Sequence, residues 1–356
     1  MRVLLAIAAA VLATSAGAAG EVDAGDTACR WELLLNRPGP ELSGIAALGD
    51  GNVWAVGSNG PRGAMLHWNG RRWQSVASPV LAYDIDAVSM NDIWAVGSSV
   101  PGGPEIRPRA EHWNGRRWRA VSVPGRSGAY LRAVAAISSR DVWAVGAKAR
   151  GPLVMHWGGA AWKPMAGGPR DGLLHGIDAL SPSNIWAVGA QGMTTLGPQS
   201  EDSLVERLRG KRWQPLRIPE LDWLDDRLLE VSAASSGDVW AVGSIDEPRR
   251  APLVVHWDGQ AWTVVSTNGL PKTWTSLSAV VAFGPEDVWT AGSHGIGKDE
   301  RTLLAHWDGR RWMQVPGPRG ALADLAALAP GDIWAAGGRS GEQRSRSLIE
   351  HYSCTT

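Results

Sequence analysis

A short phrase, an acidic or amide residue followed by Ile or Val and then Trp, is written seven times along this chain. Its tryptophans are Trp54, Trp94, Trp143, Trp186, Trp240, Trp289 and Trp334, at steps of 40, 49, 43, 54, 49 and 45 residues. Self-similarity at that period marks a repeat architecture, in which no unit buries its apolar face alone. Each unit carries four short β signals. In the first they are "LSGIAAL" (Leu42 to Leu48), "NVWAVG" (Asn52 to Gly57), "MLHW" (Met65 to Trp68) and "RRWQSV" (Arg71 to Val76). A helical solenoid would need apolar spacing of three and four, which these runs lack. Asn69-Gly70 is a two-residue hairpin signal with positive φ expected at both residues, which would set His67 opposite Arg72. Seven such antiparallel units predict an all-β fold, a seven-bladed β-propeller of four-stranded blades.

Seven residues before each core Trp stands an Ala (Ala47, Ala87, Ala136, Ala179, Ala233, Ala282, Ala327), the small residue expected where blades converge on an axis. Two residues earlier is a branched aliphatic, as at Ile45 and Ile85. A second set of tryptophans opens the fourth strand, from Trp73 to Trp312 and including Trp31, and a third follows His on strand three. All but two of the 21 Trp fall in these registers, so they read as core spacers. The last unit stops at "LIEHYSC", without a fourth strand, and "CRWELLL" near the start is a fourth strand without a third. Aligning them puts Cys354 at the position of Gly70 and Cys29 at that of Arg71. A Cys29–Cys354 disulfide is therefore expected to close the ring where other blades have a hairpin.

Residues 1–18 read as a secretory signal peptide: Met1-Arg2, an apolar run from Val3 to Ala13, then Ser15-Ala16-Gly17-Ala18. The propeller is expected over residues 25–356. No later apolar stretch reaches the roughly 18 residues that a membrane span requires. The 35 Lys and Arg balance 35 Asp and Glu, and losing Arg2 leaves 34 against 35. That balance argues against a nucleic-acid or anionic-membrane partner, which would want a strong positive excess. The expectation is a secreted monomer with a glycan or protein ligand and no cofactor.

With "VWAVG" and "HWNGRRW" as its signatures, the unit resembles kelch-type repeats from Cys29 to Cys354. It is similar in particular to the "DVWAVG … HWDG..W" propellers of exported bacterial proteins, and more distantly to galactose-oxidase-type and tectonin propellers. The kelch Gly-Gly doublet occurs only at Gly337-Gly338. The resemblance implies architecture, not an activity, because propellers host unrelated functions.

The recurrent His67, His112, His156, His256, His306 and His351 lie one per blade, too far apart for a metal, and read as hydrogen-bonded structural groups. The Asp or Asn before Ile/Val-Trp reads as a turn hydrogen-bonder. Arg pairs such as Arg71-Arg72 read as edge protection. Length variation collects in the links from strand two to three and from strand four to the next blade. These share one face, the usual location of binding.

On that face lie the two Trp outside the repeat, Trp223 and Trp274. Asp222, Asp225, Asp226 and Arg227 flank Trp223, and an indole beside carboxylates suits a sugar ring. Calcium at those Asp residues has no calcium-loop pattern behind it. The leading expectation is a non-catalytic binding propeller using this face. The alternatives are a carbohydrate-active enzyme at the channel mouth and a structural adaptor. For an enzyme, His175 and His294 with Glu230 and Asp178 are the available acid/base set. Copper-radical chemistry would need a Cys-crosslinked Tyr, whereas both Cys are committed and only Tyr83, Tyr130 and Tyr352 exist. Sialidase boxes and a Gly-x-Ser-x-Gly motif are absent.

Overall fold

The computed structural model describes residues 28–49, 51–78, 80–99, 105–169, 171–192, 202–210, 212–218, 221, 225–246, 250–340 and 345–355. The expected leader, residues 1–18, lies outside them. The described chain forms seven four-stranded antiparallel sheets. In the first blade the strands are Glu41–Ala47, Val53–Asn59, Arg62–Trp68 and Trp73–Val76, paired in chain order. The last blade is composite. Its strands Ala321–Ala329, Asp332–Arg339 and Arg346–Thr355 take Ala28–Pro38 as their fourth. Cys29 lies opposite Cys354 in that ladder, and the disulfide between them spans 325 residues. Trp31 faces Tyr352 just as Trp68 faces Trp73, so the covalent link occupies the place of a hairpin. Such a bond belongs to an oxidising environment. No helix among the described residues is long and apolar enough to cross a membrane.

The wedge between sheets is filled in the same way at six of the seven seams. A core Trp of one blade meets the fourth-strand Trp of the next edge to face: Trp54–Trp118 at 5.4 Å, Trp94–Trp162 at 5.4 Å, Trp186–Trp262 at 5.6 Å. Trp31 meets Trp289 at 5.5 Å, so the N-terminal strand supplies the indole that the last seam needs. Pairs of this geometry add about 0.5–1.5 kcal/mol beyond the area they bury.

Two local expectations are corrected. The Asp or Asn before each core Trp does more than shape a turn. Asn52 Oδ1 accepts the Trp54 indole N–H at 2.9 Å and His67 Nε2–H at 2.8 Å, and the imidazole stacks on the indole at 4.0 Å. Asp141 and Asp238 repeat the arrangement with Trp143/His156 and Trp240/His256. Where Arg207 replaces the His, its guanidinium lies 4.5 Å from the Trp186 ring centre. The structural reading of the histidines therefore holds.

Secondly, His67 faces Gln74 rather than Arg72, because the turn spans residues 69–72. Gly70 has a φ of 82°, whereas Asn69 is not left-handed. Asn69 acts through its side chain instead, accepting the N–H groups of Arg71 and Arg72 at 3.1 Å each.

Three seams carry a carboxyl group where the others are apolar. The third-strand position held by Leu66, Met155, Val255 and Ala305 is Glu111, Glu206 and Glu350 in the remaining blades, with 1%, 1% and 4% exposure. One oxygen of each has no hydrogen-bond partner among the described residues. Burial pushes all three from an ordinary 4.5 up to about 7. The folded state thus binds more protons than the unfolded chain between 4.5 and about 7. Stability accordingly falls as pH rises through that window.

Two outcomes are expected. Changing Glu111, Glu206 and Glu350 to Gln together raises the thermal midpoint at about pH 8 but not at about pH 4. Calorimetry at both pH values checks it, and a lower midpoint at the higher pH would refute the burial argument. Cys29→Ser with Cys354→Ser lowers the unfolding free energy by up to roughly 5–6 kcal/mol, the loop-closure limit, read by guanidinium titration.

Candidate functional site

The first strand of each blade borders the axis, and its inner edge has no strand to pair with. Unpaired edge amides need acceptors. Carboxylates supply them across the seams. Asp84 accepts the N–H of Ile85 at 2.7 Å and, from the next blade, that of Val134 at 2.8 Å. Asp86 joins Ala87 to Ala136, Asp178 joins Ala179 to Ala233, and Asp324 joins Leu325 to Ile45, all at 2.7–2.8 Å. Ser232 Oγ takes the Ala282 N–H at 3.1 Å and Glu230 Oε1 that of Val231 at 3.0 Å. Hydrogen bonds to an ionised acceptor are the strong ones. The opposing cost is burial: Asp84 is held well above the ordinary carboxylate range, first by burial and then by the charge of Asp324. The alanine column does reach the axis, at Ala47, Ala87 and Ala327, but it shares the channel with these acids.

The channel has two chambers. One, of about 320 Å³, opens on the short-link face, with Asp86 and Asp178 among its walls. The other, of about 140 Å³, lies toward the long-link face. They meet at a waist formed by Asp84, Glu230 and Asp324, which line both.

The long-link chamber is built from β-bulges. In every first strand one residue is skipped in the pairing, between Leu42 and Gly44 in the first blade and between Leu131 and Ala133 in the third. The skipped residues are Ser43, Tyr83, Arg132, His175, Leu229, Ser278 and Ala323, and all seven line the chamber. A bulge re-aims a side chain, and here it turns each one to the axis. The motif glycine "WAVG" makes this fit: a Cβ on Gly57 would overlap the carbonyl oxygen of Glu41 on the bulged strand, and the other blades repeat the conflict.

Two bulge residues stand out chemically. Arg132 is exposed, its guanidinium 5.8 Å from the Tyr83 ring centre. It makes no ion pair among the described residues. His175 has its Nδ1 buried without a hydrogen-bond partner among the described residues. Burial, then the charges of Arg132 and Arg227, push its pKa down to about 3, so it is a neutral imidazole. Tyr83 is itself fixed, with its hydroxyl 3.1 Å from Ser98 Oγ.

The described residues among those singled out from sequence have separate surroundings. Trp223 and Asp222 lie outside the described residues. Trp274 is described and exposed. Asp226 is buried, Oδ1 accepting the Ser203 N–H at 2.9 Å, and burial raises its pKa to about 6. Asp225 offers its carbonyl to the Asp246 N–H at 2.8 Å, and Arg227 is ion-paired with Asp246. The proposed acid/base quartet does not assemble. His175 and Glu230 share the long-link chamber, Asp178 lines the other, and His294 ends a second strand, 3.5 Å from the Gln314 amide. His294 fails because the second strand is one step removed from the axis. No group of His, Cys, Asp and Glu among the described residues is arranged to hold a metal ion. Sequence reading missed Tyr83 and Arg132. The available signal was their offset of 11 residues before the core Trp, shared with His175.

The fold and channel define a seven-bladed propeller with a polar axial site. Neither a protein-family model nor a curated protein matches the chain, so the kelch-type likeness is one of motif. Solved structures do match in fold. "YCF48 bound to D1 peptide" is 15% identical with a TM-score of 0.59, over 91% of this chain and 96% of that one. The WD40 repeats of RRP9 are 10% identical with a TM-score of 0.62, over 91% and 97%. A polysaccharide lyase, the PL25 ulvan lyase bound to -[GlcA(1-4)Rha3S]-, is 11% identical with a TM-score of 0.63, over 88% and 93%.

Asp84→Ala removes the acceptor of two edge amides and is expected to cost about 1–3 kcal/mol of stability. Asp84→Asn, which keeps one acceptor, costs less. Chemical denaturation of both variants checks the order, and equal stability of Asp84→Ala and the parent would refute the stitching role.

Proposed function

We propose that this chain is an exported, monomeric, non-catalytic binding propeller that takes a glycan on its long-link face, with the propeller of residues 25–356 following a cleaved leader. One observation carries the reading. Trp274 is the only non-glycine residue among the described ones with positive φ, at 54°, and its side chain is 44% exposed. A bulky side chain in the left-handed region costs energy, and such outliers persist where a function holds them. The strain serves to present an indole: the Gly295 N–H donates to the Trp274 carbonyl at 2.9 Å, and Ile296, next in the chain, is itself 59% exposed. A flat, fixed aromatic face on a rigid ring is the platform on which a sugar stacks. Asp225 belongs to the preceding inter-blade link, whose Trp223 and Asp222, outside the described residues, are expected from the sequence to add to the site. The secreted location is supported by the disulfide.

Among proteins of this fold, YCF48 is described with a bound peptide and the ulvan lyase with a bound saccharide. The exposed indole favours the second kind of ligand. A glycan array with the parent, Trp274→Ala and Trp223→Ala tests the proposal. Each change is expected to weaken binding by about tenfold or more without lowering the thermal midpoint. No array signal together with a specific protein partner overturns it in favour of an adaptor. Product released from any polysaccharide overturns it in favour of an enzyme.

A further inference from the structure

The long-link mouth of the channel is a mixed site whose charges are ordered by depth. At the rim, Arg132 lies against Tyr83 with no carboxylate partner among the described residues, whereas Arg227 is engaged by Asp246. At mid-depth the His175 imidazole carries a buried nitrogen without a partner among those residues. At the floor are Asp84, Glu230 and Asp324. A simple anion drawn to Arg132 would meet the acids below. A simple cation drawn to the acids would pass the guanidinium. The occupant that satisfies both levels has a carboxylate at one edge and hydroxyl donors at the other.

We propose that this mouth is a subsite for a uronic acid residue at a chain end, its carboxylate on Arg132 and its hydroxyls directed to His175 and the waist carboxylates. The chamber, about 140 Å³ with Asp84, Glu230 and Asp324 at its inner end, is of a size for one such residue. Arg132 is suited to the task, since a planar guanidinium pairs a carboxylate through two parallel hydrogen bonds. A neutral imidazole offers one donor and one acceptor, which is what neighbouring hydroxyls need. An acidic peptide end would bring the carboxylate without the hydroxyls, leaving the floor acids facing apolar atoms. The inference rests on the glycan reading and adds the ligand class and a second anchor, distinct from Trp274.

The test is calorimetric titration of the mature chain with tetragalacturonate, its fully methyl-esterified form and tetraglutamate. The parent is expected to bind the acid at least about tenfold more tightly than the ester. Arg132→Ala abolishes that preference, and Arg132→Lys keeps part of it. The thermal midpoint is unchanged because Arg132 is exposed. Trp274→Ala weakens acid and ester alike and leaves their ratio intact, so the platform and the subsite fail separately. Equal binding of acid and ester by the parent, or a preference that survives Arg132→Ala, overturns the proposal. Tetraglutamate binding through Arg132 without uronate binding overturns the ligand class. No binding of either tetramer overturns the subsite, while a neutral glycan bound through Trp274 leaves the function of the face standing.

Discussion

Closing a ring of seven sheets demands that each wedge-shaped gap be filled by nearly the same volume, because one loose seam opens the circle. Here the filling is a pair of indoles set edge to face, one from the second strand of a blade and one from the fourth strand of the next. The contact recurs at Trp54–Trp118, Trp94–Trp162 and Trp334–Trp73, and at Trp289–Trp31 it includes the chain's first strand. At Trp54, Trp143 and Trp240 the inner indole is locked, since a ring stacked on His and hydrogen-bonded at Nε1 has one rotamer left. Packing sets the radius of the ring, and hydrogen bonding sets the orientation of what packs.

The inner edge poses the opposite problem. Every blade ends at the axis in a strand without a neighbour in its sheet. Asp84, Asp86, Asp178 and Asp324 solve it by accepting one amide at home and one from the next blade. The solution buries carboxyl groups side by side on the axis, and Asp84 is raised well above its ordinary range first by that burial and then by the charge of Asp324. Gly44 and Gly176 make it sterically workable, since a Cβ on either would press on Asp84 or Glu230. Any ligand entering the channel meets acceptors already committed to the scaffold, which limits how far it reaches and what it can be.

The architecture was legible in sequence because its causes are periodic. Trp54 and its counterparts, the Ala47 column and the position of Cys29 opposite Cys354 each follow from a residue type returning at a fixed offset. Register was less legible. Asn69-Gly70 satisfies a two-residue hairpin rule, yet the Asn69 side chain captures two amides and moves the turn, so His67 lands on Gln74. The site was the least legible. Asp226 and Arg227 look like surface loop residues beside Trp223, but Asp226 is buried under the Ser203 strand and Arg227 is held by Asp246. Neither outcome is encoded locally, since both depend on which blade supplies the partner.

The bulge position illustrates why function in such a ring is found by subtraction. Leu42 before it and Gly57 across from it are fixed by packing, and the same two constraints recur at Leu131 and Gly146. The residue between, freed from pairing and turned to the channel, answers to neither constraint. It is Ser, Tyr, Arg, His, Leu, Ser and Ala in successive blades, while the residue before it is Leu in every blade but the second, which has Ala82, and the residue across from that one is always Gly. A residue that varies inside an otherwise constant frame is released from the fold's demands, and seven of them meet in one chamber. The frame makes the chamber rigid, and the variation makes it chemically asymmetric, with Tyr83, Arg132 and His175 on one arc and Ser278 and Ala323 on the other. Asymmetry of that kind cannot come from the repeat and is what a single ligand orientation requires.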